Sequence, residues 1–459
     1  MMNTECFTPT TRAGSVIPVL LLAIVLLFSS SANAQGWSSL GGGLAGWVYA
    51  TTVYNGQLIA GGDFPGHVAK FDGVSWSTVG NGVNGQVWSL GVYNNELWVG
   101  GTFSMADTLI VSNIAAWDGT TWKDAEGGMD GHVSAMTVYN GKLIAAGYFT
   151  TANISANHIA AWDGTSWSTL GEGTGGTQGQ VLALTVYDST LVAAGFFTTA
   201  GGVSASHIAK WNGTTWSALG DGIAWISYAL AVYDSSLIAG GLFSTAGGVA
   251  AHDVAKWNGS SWDSLGSGVG GGLYGYVLAL AVSGTDLVAG GIYTTAGGSP
   301  AANIARWNGS AWTPMATSMT SGGTVQAVYT LSPYAGGVAA GGIFDGIDGV
   351  GSGNICQWQE ALGVKDPLER VPSGFRLMPN YPNPFNPATT IGFALPNAGF
   401  ATLKVYDLLG REAATLFSGI AAPGYQTVTL DASRMPSGVY YYRLQAGAYS
   451  ETRKLLLQR

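Results

Sequence analysis

A chain of 459 residues is long enough for more than one domain, and 47% hydrophobic residues with 71 glycines describe a folded, turn-rich protein and exclude a disordered one. The formal net charge of −9 conceals two modules: 19 acidic against 6 basic residues lie between 35 and 360, net −13, and 6 against 10 lie from 361 onward, net +4. So acidic a body argues against a nucleic-acid ligand, because phosphate contacts need lysine and arginine.

The chain opens on a secretory leader. Arg12 precedes an apolar run over 16–28, and Ala32-Asn33-Ala34 offers the small residues that a signal peptidase accepts, so residues 1–34 are expected to be removed. The run is shorter than the ~20 residues that a membrane span needs. Cys6 lies upstream of it, so no lipoprotein anchor is expected, and removal of the leader leaves Cys356 without a partner for an internal disulfide.

Between 35 and 360 one phrase returns seven times, ending at Phe71, Trp117, Trp162, Trp211, Trp257, Trp307 and Trp358. A period of about 45 to 51 residues suits four-stranded propeller blades. Each repeat parses into four short strands, in the fourth repeat 181–187, 191–197, 207–211 and 215–219. Asn55-Gly56 and Asn140-Gly141 stand after inner strands; Asp163-Gly164, Asn212-Gly213, Asn258-Gly259 and Asn308-Gly309 stand before outer ones. All are expected to form two-residue hairpin turns with positive φ at both positions. The seventh repeat stops at Trp358 without an outer strand, while Trp37-Ser38-Ser39-Leu40-Gly41 copies Trp216-Ser217-Ala218-Leu219-Gly220. The N-terminal strand is therefore expected to complete the last blade and hide two sheet edges.

The glycine pairs closing the second strands, such as Gly240-Gly241 and Gly290-Gly291, and the outer-strand tryptophans resemble the kelch and galactose-oxidase type of propeller over 37–358. Trp211 and Trp216, five apart, are spaced slightly tighter than in the usual kelch repeat. The expected fold is all-β: a seven-bladed β-propeller over 35–360, a linker over 361–374 marked by Pro367 and Pro372, and a small Ig-like sandwich over 375–459.

That last segment resembles the type A sorting domain of type IX secretion substrates along nearly its whole length. The motifs are Tyr381-Pro382-Asn383-Pro384-Phe385-Asn386-Pro387, then Leu403 through Gly410 and Arg411, then Ser437-Gly438-Val439-Tyr440, then Thr452-Arg453-Lys454 and the leucines after it. The alternating apolar pattern over 401–406 and 439–444 separately argues half-buried strands. The resemblance implies export through the periplasm and outer membrane by the type IX machinery, often with removal of the tail and attachment to surface lipopolysaccharide.

Chemistry is sparse. Thirteen of the 17 tryptophans fall in two framework columns, leaving Trp47, Trp88, Trp98 and Trp225. His67, His158 and His207 share a column with Asn113, Asp253, Asn303 and Asn354, where a short polar side chain bonds to turn backbone. No metal motif appears, and no cofactor is expected. Cys356 falls in a small-residue column with Ala209 and Ala305, so the thiol that a copper-radical oxidase needs is missing. Asp130, Glu172 and Asp221 are the carboxylates that a glycosidase or lyase would have to use.

One column varies as a binding surface does: Trp47, Gln86, His132, Gln180, Ile226, Tyr276 and Thr324, just before the inner strands, with Trp88, Trp225, Tyr228 and Tyr274 nearby. Aromatic faces with polar tips around a channel mouth suit glycan or peptide capture, and would serve equally to plug the channel. The expected function is a non-catalytic extracellular binding or adhesion module. The alternatives are a secreted polysaccharide-active enzyme and a ligand-free structural surface protein.

Overall fold

The computed structural model describes residues 36–176, 178–271, 275–359, 375–380, 383, 385–421, 424–447 and 449–458. The leader over 1–34, the linker over 361–374, Tyr274 and Pro384 lie outside the described residues. Among the described residues there is no helix, and so none long and apolar enough to cross a membrane.

Between 36 and 359 the described residues form seven four-stranded antiparallel sheets, none of which closes on itself into a barrel. In the fourth, Gln180–Tyr187, Thr190–Phe196, Ile208–Trp211 and Trp216–Ala218 pair in chain order. The second strands are buried along nearly their full length, five consecutive residues in Thr190–Phe196. A neighbouring sheet covers each face, which is why these strands read as unbroken apolar runs instead of alternating. Glycine permits that approach: a Cβ on Gly240 would lie 2.5 Å from Val277 Cγ1 of the sixth sheet, and one on Gly341 2.6 Å from Val48 Cγ1 of the first. The seventh sheet thus packs on the first as the fifth does on the sixth.

The N-terminal strand Gly36–Ser39 pairs with Ile355–Gln359 in the seventh sheet, Trp37 opposite Trp358. Their rings meet at 5.3 Å, as do Trp117 and Trp122 in the second sheet and, at 5.4 Å, Trp211 and Trp216 in the fourth. Outer-strand indoles also tie each sheet to the one before. Trp216 Nε1 donates to Leu170 O at 2.7 Å, Trp262 to Leu219 O at 3.0 Å and Trp312 to Leu265 O at 2.8 Å; Trp37 continues the series to Met315 O at 2.8 Å. Trp122 departs from it, its buried Nε1 finding no partner among the described residues. Where Thr51, Thr330 and Ser332 meet, hydroxyls join the first and seventh inner strands at 2.8–2.9 Å.

The turns divide in two. Asn55-Gly56 has φ of 49° and 75° and Asn140-Gly141 of 47° and 74°, the two-residue hairpins expected. The pairs before outer strands are different: in Asp163-Gly164 only the glycine has positive φ, and the connection is four residues long. Asp163 Oδ1 accepts from the N–H groups of Thr165 and Ser166 at 2.9 Å each, so the side chain, not the backbone twist, builds the turn. Those hydrogen bonds hold its carboxyl down to about 2.

In the C-terminal module, Arg376–Leu377, Ala388–Leu395 and Gly424–Asp431 form one sheet, and Glu412–Ala421, Gly399–Tyr406, Gly438–Ala446 and Tyr449–Leu457 another. Ile391 and Phe393 from the first and Leu403, Val405, Tyr442 and Leu444 from the second share one core.

Candidate ligand-binding site

Every inner strand of the seven sheets carries a β-bulge one residue past its start, as between Val48 and Ala50 or Val277 and Ala279. A bulged residue has no cross-strand partner and is re-aimed. Tyr49, Trp88, Ser134, Leu182, Tyr228, Leu278 and Tyr329 occupy these positions. Tyr49 stacks on Trp88 at 4.1 Å with the rings nearly parallel, and meets Tyr329 edge-on at 5.4 Å and Trp47 at 6.3 Å. Tyr228 lies 5.8 Å from Tyr276. Burial raises the pKa values of Tyr49, Tyr228 and Tyr329, and nearby negative charge adds to it, from Asp63 and then Tyr329 at Tyr49, from Tyr276 and then Tyr329 at Tyr228, and from Tyr276 at Tyr329. The phenols therefore remain O–H donors at any physiological pH.

The polar members of the column have partners. Gln86 Nε2 donates to Asp63 at 2.9 Å, and Gln180 Nε2 to His132 Nε2 at 3.1 Å. Burial lowers the His132 pKa, so its neutral ring accepts that bond. His132 in turn lies 6.0 Å from the half-exposed ring of Tyr148.

Three expectations need correction. Trp47, Gln86, His132, Gln180, Ile226 and Tyr276 are the first residues of the inner strands and not the residues before them. In the seventh sheet that place belongs to Ala327, paired with Ile343, and not to Thr324, because the preceding loop is three residues longer than sequence spacing suggests. Trp225 does not join the tyrosines; its ring packs at 5.3 Å on Phe196 and 6.0 Å on His207. Tyr49 and Tyr329 were missed, although an aromatic two residues past the strand start, as in Trp47-Val48-Tyr49, was visible once a bulge was allowed for.

The carboxylates separate too. Asp130 accepts from Thr150 and Thr151 and is committed to its loop. Cys356 is buried, and burial pushes its thiol up to about 12. Among the described residues no group of three or more His, Cys, Asp or Glu could hold a metal.

The column of His67, Asn113, His158, His207, Asp253, Asn303 and Asn354 has φ between 59° and 67° throughout, the left-handed region that short polar residues tolerate. Asn303 Oδ1 accepts from the Tyr293 N–H at 2.9 Å, Asn354 Oδ1 from Phe344 at 3.1 Å and Asp253 Oδ1 from Phe243 at 3.0 Å. Asp253 alone among these three is ionisable, and burial raises it from 3.8 to about 7. The native state keeps this proton to higher pH than the unfolded chain, so stability is full below about pH 4, falls as pH rises to about 7, and is level above. Asp253→Asn is expected to remove that loss, raising stability at pH 8 by on the order of 1–2 kcal/mol after allowance for partial exposure and leaving pH 4 nearly unchanged. Thermal melts at the two pH values check this; equal gains at both would show that charge is not the cause.

In the C-terminal module Asn383 Oδ1 accepts from the Leu456 N–H at 2.8 Å. Phe385 is buried and bridges to the last strand through Leu456 O and the Gln458 N–H, each at 3.0 Å, while Pro387 O accepts from Ala432. Asn386 is exposed beside them. Gly410, at φ 77°, completes a turn in which Asp407 binds Arg411 at 2.7 Å. Gly438 opens its strand, Arg453 pairs with Glu451 at 2.9 Å, and Lys454 is exposed.

Residues 380–458 match the secretion system C-terminal sorting domain family, and residues 68–225 the Rax2 C-terminal beta propeller domain. No curated protein matches the chain. Among solved structures it is similar to PorZ of Porphyromonas gingivalis, described as an essential bacterial surface component of the type-IX secretion system, at 14% identity and a TM-score of 0.42. The match covers 90% of this chain and 59% of that one, and at this level it says nothing about function. The chain thus combines a β-propeller domain, without the kelch type being singled out, with a secretion sorting tail, and is a surface or secreted protein.

Proposed function

We propose that the seven sheets are the blades of one propeller closed by the N-terminal strand, exported by the type IX machinery, and that its channel mouth captures an extracellular glycan or protein without turning it over. The observation that carries this reading is the gathering of Tyr49, Trp88 and Tyr329, with Tyr228 and Tyr276, at the bulges and starts of inner strands from five different sheets. Convergent aromatic faces bury area while phenol and amide tips orient a ligand. The indole ties, broken only at Trp122 among the described outer strands, and the glycine contacts from the seventh sheet to the first support the ring. Lipopolysaccharide attachment after loss of the tail is part of the same proposal.

The test is retention of the mature protein on glycan and peptide arrays, with assay of soluble product. The triple variant Trp47→Ala, Trp88→Ala, Tyr276→Ala is expected to lose at least tenfold in affinity for whichever probe the wild type retains. Unchanged retention, or release of product by the wild type, would count against the reading.

A further inference from the structure

The loop leading into the fifth sheet differs from its siblings in two linked ways. In the second repeat Asn84 Oδ1 accepts from the N–H groups of Ser104 and Met105 at 2.9 Å each; in the third Asp130 Oδ1 accepts from Thr150 at 2.7 Å and Thr151 at 2.9 Å. In the fourth, sixth and seventh repeats the equivalent first N–H, of Thr198, Thr294 or Asp345, goes to a loop carbonyl. The fifth repeat keeps the backbone register, since Ala224 N–H donates to Thr245 O at 3.0 Å as Asn84 does to Met105 O at 3.1 Å. Ala224, however, carries no side-chain oxygen. The N–H of Ser244 meets no acceptor among the described residues, and that of Thr245 points the same way as its carbonyl, toward Ala224.

The second difference is Trp225. The matching positions are Gly46, Gly85, Gly131, Gly179 and Gly275, with Gln326 at the end of the longer loop into the seventh sheet, and at the first three a Cβ would come within 2.2 Å, 2.1 Å and 1.8 Å of a carbonyl oxygen. A side chain here requires backbone torsions different from those of the glycines, and Trp225 presents an indole 48% exposed. Beside it lies a cavity of about 170 Å³, lined by His207, Asp221, Ala224 and Thr245 among others. His207 is only 7% exposed, and its Nδ1 makes no hydrogen bond of good geometry among the described residues. The volume is below the ~300–1,000 Å³ of drug-sized sites and suits a single ring.

We propose that this cavity binds one neutral pyranose unit of a glycan. A ring hydroxyl oxygen accepts from Ser244 and Thr245 in the place that Asn84 and Asp130 fill in their own repeats. A neighbouring hydroxyl donates to the Asp221 carboxylate, and Trp225 covers an apolar face of the ring. The acidic body and Asp221 itself select against uronates. The site is separate from the tyrosines of the channel mouth and rests on the comparison of repeats, so either assignment can fall while the other stands.

Methyl glucopyranoside, galactopyranoside and mannopyranoside, with glucuronate and galacturonate, are titrated into the mature protein by saturation-transfer NMR and tryptophan fluorescence. At least one neutral pyranoside is expected to bind in the millimolar range and to weaken at least tenfold in Trp225→Ala. Ala224→Asp restores the capping carboxylate of the third repeat, and is expected to abolish binding with the melting temperature kept or raised. Ala224→Asn is the uncharged control and is expected to do the same. No neutral pyranoside binding, tighter binding of the uronates, or full binding by both Ala224 variants overturns the proposal.

Discussion

Removal of residues 37–40 is expected to lower the thermal midpoint of the seven-sheet body by about 10 °C. The four residues touch three sheets at once. Trp37 packs on Trp358 of the seventh and donates to Met315 of the sixth, while Leu40, 4% exposed, offers its carbonyl to Trp76 Nε1 of the first at 2.8 Å. Loss of one such tryptophan costs about 3–5 kcal/mol by the measure of core truncations. The deletion also exposes the edge of Ile355–Gln359 and leaves the Trp76 indole unpaired. Trp37→Phe separates the contributions: it keeps the ring pair and loses the hydrogen bond, for about 1 kcal/mol. Scanning calorimetry of the deletion and the point variant measures both, and a deletion that melts like the wild type would sink the closure.

How far the sequence could carry this depends on whether a feature repeats. The Trp211–Trp216 pair, whose spacing of five recurs in each of the first six repeats, reveals hairpin register, and the orphan Trp37 motif points to its partner strand, because both are copies of something seen elsewhere in the chain. The bulges were illegible: a bulge inserts one residue without a compositional mark, so period-two counting puts Tyr49 and Tyr329 on the wrong footing. Asp163-Gly164 misled for a related reason. Asp-Gly is a signal for a two-residue turn and equally for a side-chain-capped loop, and only the two N–H groups that Asp163 gathers decide which. The capping role of Asp130 required a partner 20 residues away, which no local pattern displays. In the tail the aromatic and small residues of the motifs were plain, but that Asn383 and Phe385 clasp the final strand some 70 residues on is a matter of tertiary packing.

Phe385→Ala is expected to cut export of a reporter carrying residues 375–459 at least tenfold in a host with the type IX system. Phe385 is 2% exposed in the shared core with Leu403, Tyr442 and Leu457, and its backbone is bonded on both sides to the last strand. Truncation of a buried phenylalanine costs about 3–5 kcal/mol, which is a large share of the roughly 5–15 kcal/mol that holds a domain together. The variant therefore frees Tyr449–Leu457, the strand that carries Arg453 and Lys454, from the motif around Asn383. Lys454→Ala supplies the contrast, since Lys454 is exposed and its loss leaves the core intact. If the machinery recognises the folded sandwich, Phe385→Ala fails while Lys454→Ala is exported with an unchanged melting temperature. If it reads the basic strand as a linear signal, the order reverses, and comparing the amounts in the medium and the periplasm distinguishes the two.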